Sequence, residues 1–322
     1  MNTATRILSR MLCAALVLLC TGVFAFDLQA HRGIRGHLPE NTLPGFERAL
    51  EIGVTTLELD IAITSDGVPV VYHDRALNPS ITRDGKGDWL PSTGPLIRTL
   101  TLEQVKSYDV GRIRSWTGYA RDFPHQQPRD GTRIPTLAGL FKRVKELGAN
   151  DVQFDMETKI DPRSPGDTLP PEEFVKTLLA VIREHGMEQR VMVQSFDWRT
   201  LVLIQKLEPR IRTVYLTVDN PRAGNRDVWT AGFTRAQHGS TPRMVKAAGG
   251  PIWSPNFNDV TPELVKEAQG LGLKVIPWTV NEPADIERII AMGVDGIISD
   301  YADRVREVMQ KRGMPLPPPL KR

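Results

Sequence analysis

Thr56-Leu57-Glu58-Leu59-Asp60-Ile61-Ala62-Ile63-Thr64-Ser65-Asp66-Gly67-Val68-Pro69-Val70-Val71-Tyr72-His73 is the stretch on which the fold turns. Residues 56–61 form a short apolar run broken only by two acids, and the two-residue period of a strand puts Glu58 and Asp60 on one side. Asp66-Gly67 follows as a hairpin signal, because both residue types tolerate positive φ. Counting outward from a two-residue turn pairs Ser65 with Val68 and Asp60 with His73. Opposed residues of a hairpin lie roughly 4.5–5.5 Å apart, so the turn is expected to return His73 to the level of Asp60.

Similar runs recur on both sides of this stretch. Buried strands are predicted over 26–31, 56–61, 152–157, 191–195, 213–217, 252–255, 274–279 and 296–299. Segments with apolar residues at three-and-four spacing lie between most of them, among them 42–51, 171–185, 198–206, 261–269 and 283–291. Strands that alternate with helices eight times imply a parallel (β/α)8 TIM barrel, with an open doubly wound sheet as the alternative if two weak strands are misread. The pattern weakens over 77–135, where Gly, Pro, Asp and Arg crowd around one modest helix at 102–108. That piece reads as a small insertion after the second strand, lying over the active face. A second weak stretch, 219–240, reads as a loop. No internal repeat is visible.

The ends of the chain read differently. Arg6 and Arg10 precede an apolar run over 11–24 that exits through Val23-Phe24-Ala25, the pattern of a secretory signal peptide over 1–25. Cleavage after Ala25 leaves the barrel domain at 26–312 and a proline-rich, flexible tail at 313–322. The expected location is therefore periplasmic or extracellular, with no stable membrane anchor after cleavage. Both cysteines, Cys13 and Cys20, fall in the leader, so the mature chain has neither a disulfide nor thiolate chemistry. The leader also holds two of the 41 basic residues and none of the 38 acidic ones, which leaves a nearly neutral mature chain. With no basic run, nucleic acid is not an expected partner. Nothing here speaks to oligomeric state.

In a parallel barrel, catalytic groups gather at the carboxyl ends of the strands. His31 ends the first strand, Glu58 and Asp60 lie on the second, and Glu157 ends the third with Lys159 two residues on. Glu58, Asp60 and Glu157, without cysteine, suit one hard divalent cation, Ca²⁺ or Mg²⁺. Arg32 and Lys159 add positive charge of the kind that phosphate-ester oxygens need. His31 and His73 offer an acid and a base.

In this order the residues resemble the glycerophosphodiester phosphodiesterase family. The resemblance rests on His31-Arg32-Gly33, Pro39-Glu40-Asn41-Thr42, Glu58-Leu59-Asp60, the 64–67 turn into His73-Asp74, and Glu157-Thr158-Lys159. It continues through Gln194-Ser195-Phe196, Trp278-Thr279-Val280-Asn281 and Gly296-Ile297-Ile298-Ser299-Asp300, across nearly all the mature chain. It implies a barrel with an insertion after the second strand and a divalent metal on Glu58, Asp60 and Glu157. It also implies His31 and His73 as acid and base, with Arg32 and Lys159 on the phosphate. The implied reaction cleaves a small-molecule glycerophosphodiester to sn-glycerol 3-phosphate and an alcohol. Leu77-Asn78-Pro79-Ser80 departs from the family's usual continuation after His73-Asp74, which leaves the insertion's substrate contacts open.

Each residue also has a plainer reading. A strand-end histidine is often only a structural hydrogen-bonder, an acid pair can be an exposed strand face, and Glu157 with Lys159 can be an ordinary ion pair. Glu40 reads as an orienter of the site rather than a metal ligand. Trp278 reads as a substrate-facing wall or as core. Trp89, Trp116, Trp198, Trp229 and Trp253 are taken as packing or loop anchors, and His37, His125, His185 and His238 as structural or exposed. A glycosidase would use two of the three acids but gain nothing from Arg32, Lys159 and two histidines. A transition-metal hydrolase would normally carry a His-x-His pair, and none occurs. A lysophospholipase-D-like or cyclising phosphodiesterase, and a non-catalytic secreted phosphate-ester binder, remain as alternatives.

Overall fold

The structure, a computed structural model, describes residues 26–219 and 228–321. The leader expected over 1–25 lies outside the described residues, as do 220–227 of the second weak stretch. In chain order the strands are β1 (Asp27–Ala30), β2 (Thr56–Ile63), a short β3 (Pro69–Val71), β4 (Gln153–Thr158), β5 (Val191–Ser195), β6 (Arg212–Thr217), β7 (Ile252–Pro255), β8 (Lys274–Val275) and β9 (Gly296–Ser299). Eight of them pair in parallel in the order β8-β7-β6-β5-β4-β2-β1-β9, and β3 lies antiparallel on β2. The Ile298 amide donates to the Pro277 carbonyl, and the Val280 amide donates to the Ile298 carbonyl, each at 3.0 Å. These bonds draw β9 against the chain beyond β8, so the sheet is a nearly closed barrel.

Helix α1 (Leu43–Ile52) joins β1 to β2. Thr42 caps it by accepting the Gly45 amide, and Phe46, Ala49 and Leu50 form its buried stripe. The excursion after β3 carries α2 (Leu102–Ser107) and α3 (Gly118–Asp122) before α4 (Leu137–Glu146) returns to the barrel. Next come α5 (Pro171–Glu184), α6 (Trp198–Leu207), α7 (Arg235–His238), α8 (Thr241–Ala247), α9 (Pro262–Gly270), α10 (Pro283–Ala291) and α11 (Ala302–Lys311). Outward residues of β2, namely Leu57, Leu59, Ile61 and Ile63, join the core under these helices. The barrel interior is divided. Met192, Val214, Ile252, Ile276 and Ile298 pack as one apolar cluster, whereas Gln29, Thr56, Glu58, Asp155 and Gln194 are buried polar residues of β1, β2, β4 and β5.

Three expectations change. The hairpin register is one residue from that counted: Ile61 opposes Val71, Ala62 opposes Val70, and the Tyr72 amide donates to the Asp60 carbonyl. Asp60 therefore faces Tyr72 rather than His73. Thr64 is the cause. Its hydroxyl bonds to Asp66 and accepts the Val68 amide, which closes a three-residue loop with Gly67 at φ 78°. The strand expected over 274–279 keeps a regular ladder only to Val275: the Ile276 and Trp278 amides still donate to the Trp253 and Pro255 carbonyls, but neither Pro255 nor Pro277 has an amide to donate in return. The tail expected to be flexible is docked: the Leu320 amide donates to the Leu50 carbonyl, and Arg306 donates to the carbonyls of Gly53 and Pro317.

The excursion over 77–135 is better ordered than its composition suggests. Tyr72, Leu77, Ile81, Ile97, Val105 and Ile134 make a second apolar cluster on Ala62 and Val70 of the hairpin. Asp66 at the hairpin tip accepts the Leu102 amide, so the turn that opens the excursion also anchors its helix α2.

Candidate active site

Strand ends supply the acids. Asp60 on β2 lies in register with Glu157 on β4, and Glu58 lies one inward position below Asp60. Ligand atoms of Glu58, Asp60 and Glu157 all fall within 4.8 Å of one another, and all three residues are buried. Each acid has a holder. The Gln194 amide donates to Glu58 at 2.6 Å, the Arg32 backbone amide donates to its other oxygen at 2.8 Å, and the Asn41 side chain donates to Asp60 at 2.9 Å. Lys159 donates to Glu157 at 2.8 Å.

Three carboxyls this close do not all ionise without positive charge among them. Burial and the neighbouring Asp60 charge push Glu58 well up, and burial pushes Glu157 up. Asp60 is held low: burial would raise it, but His73, Arg32, Lys159 and the Asn41 bond outweigh that. Asp60 Oδ1 is buried and has no hydrogen-bond partner among the described residues. An orphaned carboxylate oxygen inside an all-oxygen group matches the chemistry of a hard cation site.

The two histidines are built alike. His31 follows β1 directly, and its Nδ1 lies 2.7 Å from Asp300 Oδ1 beyond β9. His73 Nδ1 lies 2.7 Å from Asp74 Oδ1. A carboxylate can only accept here, so each assigns the ring proton to Nδ1 and leaves Nε2 as the acceptor. His31 Nε2 lies 3.9 Å from Glu58, and His73 Nε2 accepts from Lys159 Nζ at 3.0 Å. Both rings are thus held by a carboxylate behind and face the acidic group in front. Burial and the Arg35 charge bring His31 down to about 4, and burial with the Lys159 and Arg32 charges brings His73 down to about 3. Both are neutral imidazoles at neutral pH.

Arg32 stands between these parts with φ 51°, its guanidinium 3.1 Å from Glu40 and 3.3 Å from Asp60. Burial alone would lower its basicity, but Glu40, Asp60 and Glu58 outweigh it and keep it charged. Glu40 therefore sits against Arg32 and not in the acidic group. Lys159 is likewise kept charged, because Glu157 and Asp60 outweigh its burial. Trp278 packs on the apolar half of the interior and meets Phe196 edge-on at 5.4 Å, and Phe196 lines the cleft. That cleft, of about 630 Å³, opens beside His73, Glu157 and Lys159 and is bordered by Asn78 and Pro79 of the excursion.

The structure thus gathers His31, His73, Glu58, Asp60, Glu157, Arg32 and Lys159, and puts Glu40 and Trp278 behind or beside them. Sequence reading passed over Asp300, Asp74, Asn41, Gln194 and Arg35 as members of the site. Arg35 grips Asp300 at 2.7 Å, and Asn281 donates to its other oxygen at 2.7 Å. Only for Asp74 was there a local signal, since it adjoins His73 in the chain.

Comparison with known proteins identifies the family. Residues 31–304 match the Glycerophosphoryl diester phosphodiesterase family. The glycerophosphodiester phosphodiesterase of Caldanaerobacter subterraneus subsp. tengcongensis is 32% identical over 284 residues, covering 88% of this chain and 98% of that protein. A crystal structure of a glycerophosphoryl diester phosphodiesterase from Silicibacter pomeroyi is 39% identical at a TM-score of 0.82, covering 91% of this chain and 95% of that one. An Oleispira antarctica phosphodiesterase, solved with the product sn-glycerol-3-phosphate, shares the fold at 22% identity and a TM-score of 0.66, over 89% of this chain and 98% of that one. The chain belongs to the glycerophosphoryl diester phosphodiesterase family.

Proposed function

We propose that this glycerophosphodiester phosphodiesterase hydrolyses small glycerophosphodiesters to sn-glycerol 3-phosphate and an alcohol, with one divalent cation, Ca²⁺ or Mg²⁺, held by Glu58, Asp60 and Glu157. The observation that carries this reading is the pair of carboxylate-backed histidines, His31 on Asp300 and His73 on Asp74, both facing one buried acidic group. When bound, the cation would neutralise charge on the phosphate oxygens and orient them.

The chain's own residues account for the proton traffic. His73 Nε2 is unprotonated and accepts from Lys159, so it can serve as the base for the glycerol 2-hydroxyl once Lys159 turns to the phosphate and frees its lone pair. In its protonated form, which Asp300 behind it would stabilise, His31 is the acid that protonates the leaving alkoxide. Attack by the 2-hydroxyl gives a cyclic phosphate, which water then opens with the two histidines exchanging roles. Arg32 and Lys159 hold the phosphate, while Glu40 keeps the Arg32 guanidinium in place. The leader pattern over 1–25 supports secretion across the inner membrane, and the mass of the mature protein would check cleavage after Ala25.

Incubating the protein with glycerophosphocholine, with and without chelator, tests the reading. Glycerol 3-phosphate is expected only when metal is present and only when His31 is intact. Release of phosphocholine, or unchanged turnover in His31→Ala, would overturn it.

A further inference from the structure

The excursion after β3 reaches the backs of both histidines. On the His31 side, Tyr119 of α3 and Phe123 just beyond it meet at 5.2 Å and 55°. Arg35 Cζ lies 4.7 Å from the centre of the Phe123 ring and 6.0 Å from that of Tyr119, and Arg35 Nη1 donates to the Tyr119 hydroxyl at 3.3 Å. Two further bonds fasten the same segments. The Gln126 side chain donates to the Arg35 carbonyl, and the Gln127 amide donates to the His37 carbonyl, each at 2.8 Å.

Arg35 passes that hold on to Asp300. Its Nε donates to Asp300 Oδ1 at 2.7 Å and its Nη2 to Oδ2 at 3.2 Å, a two-pronged grip that fixes the plane of the carboxylate. Oδ1 is the atom that meets His31 Nδ1. An arginine keeps one geometry only where packing removes its rotamer freedom, and the two rings supply that packing. On the His73 side the hold is shorter. The Asn78 side chain donates to Asp74 Oδ2 at 2.7 Å, and Asp74 Oδ1 meets His73 Nδ1. Tyr119 packs on the same apolar cluster as Leu77, the neighbour of Asn78, so both holds rest on one folded unit. Neither Tyr119 nor Phe123 borders the cleft, so their grip on Arg35 is not a contact with substrate.

We propose that the excursion is a positioning element for the acid–base pair. Tyr119 and Phe123 hold His31 through Arg35 and Asp300, and Asn78 holds His73 through Asp74. The proposal rests on the diesterase reading for what the histidines do, and not for where they are held. It gives the excursion a task in the chemistry that is separate from walling the cleft, and it makes Arg35, Tyr119, Phe123 and Asn78 positioning residues. A barrel without the excursion would still bring the two rings to the acids, but with the backing carboxylates held less firmly.

The tautomer of each ring is the readout. Nuclear magnetic resonance of ¹⁵N-histidine-labelled protein, with Mg²⁺ or Ca²⁺ present, reports both ring nitrogens through the carbon-bound ring protons. The chain has six histidines, and the signals of His31 and His73 are assigned by their loss in His31→Gln and His73→Gln. In the wild type both rings are expected to carry the proton on Nδ1. Phe123→Leu removes a ring face, and Tyr119→Phe removes only a hydroxyl, so the second serves if the first fails to fold. Each is expected to move His31 towards the Nε2-protonated form and to leave His73 as it was. Asn78→Ala is expected to do the reverse. In Phe123→Leu, kcat for glycerophosphocholine is expected to fall by about tenfold with KM unchanged. Trp116→Ala, at an exposed position just before α3, is expected to leave both rings and turnover at the wild-type level. A wild-type His31 in the folded Tyr119 and Phe123 variants, a wild-type His73 in Asn78→Ala, or both rings disturbed together in each single variant would overturn the proposal. So would a raised KM with kcat intact in Phe123→Leu. Rings that respond as expected in a protein that leaves glycerophosphocholine intact would count against the diesterase reading and not against the placement.

Discussion

His31 Nδ1 and Asp300 Oδ1 lie 2.7 Å apart although 269 residues separate them in the chain. The first strand of the barrel delivers the imidazole and the last delivers the carboxylate that orients it, so this histidine is set only when β1 and β9 meet. Replacing Asp300 with Asn keeps the shape but replaces an acceptor-only anion with a neutral amide that can also donate, so neither the tautomer nor an imidazolium is held. The expected result is a fall in kcat of about 10²–10⁴-fold, with little change in KM and an altered pH profile. Circular dichroism checks that the variant is folded, and a wild-type profile would refute the role.

Metal should act through the three acids and be visible in stability as well as rate. A ligand at 100 times its dissociation constant stabilises a fold by about 2.7 kcal/mol. Adding Ca²⁺ or Mg²⁺ to chelator-treated protein is therefore expected to raise Tm. Glu157→Gln, which removes one of the three carboxylates proposed to hold the metal, is expected to shift that response to higher metal concentrations. Scanning calorimetry across a metal titration measures it.

Asp155 gives a pH prediction with a defined sign. Its side chain lies inside the barrel on β4, wholly buried, and neither carboxylate oxygen has a hydrogen-bond partner among the described residues. Burial, with the nearby Asp27 charge, pushes it up to about 8, far above an ordinary aspartate. The folded protein thus holds a proton that the unfolded chain releases near pH 4. Stability from this group is full below pH 4 and is lost as pH rises to about 8, by roughly 1.4 kcal/mol per pH unit at most. In chelator-treated protein, Asp155→Asn should remove that slope and be the more stable form above neutrality. Urea unfolding at a series of pH values measures it, and parallel slopes for the two proteins would reject it.

Removing residues 313–322 should cost stability and spare activity. The truncation strips the Pro317 carbonyl from Arg306 and the Leu320 amide from Leu50, and it uncovers the patch under Leu316 and Leu320. A charged hydrogen bond of this kind contributes about 2 kcal/mol, so Tm is expected to fall by several degrees. Turnover of glycerophosphocholine by the truncated protein should match that of the full chain, because the contacts lie at Gly53, beyond the carboxyl end of α1 and away from the strand ends that carry the site.

Much of the molecule is legible in the chain because its signals are local. A strand's two-residue period puts Glu58 and Asp60 on one face whatever lies around them, and the alternation of apolar runs with helical stripes leads to a parallel barrel. Once the barrel is accepted, His31, Glu157 and Lys159 have to converge, since all follow or end strands that point the same way. The hairpin shows where local counting stops. The Asp66-Gly67 signal located the turn, but the Thr64 side chain set its length, moving Tyr72 opposite Asp60.

What the sequence by itself determined is the architecture and the set of groups that carry charge and protons, because period and strand-end position are properties of a short window. Only the tertiary structure decided how those groups are held. Asp300 orients His31 from the far end of the chain and is itself held by Asn281 and by Arg35, and Gln194 and Asn41 tie down the acids from other segments. Trp198, Trp229 and Trp253, which look like packing residues in the sequence, come together around a cavity beside the cleft. Such relationships depend on side chains meeting across the closed barrel, and no spacing along the chain encodes a distance between residues that meet only when the first and last strands are joined.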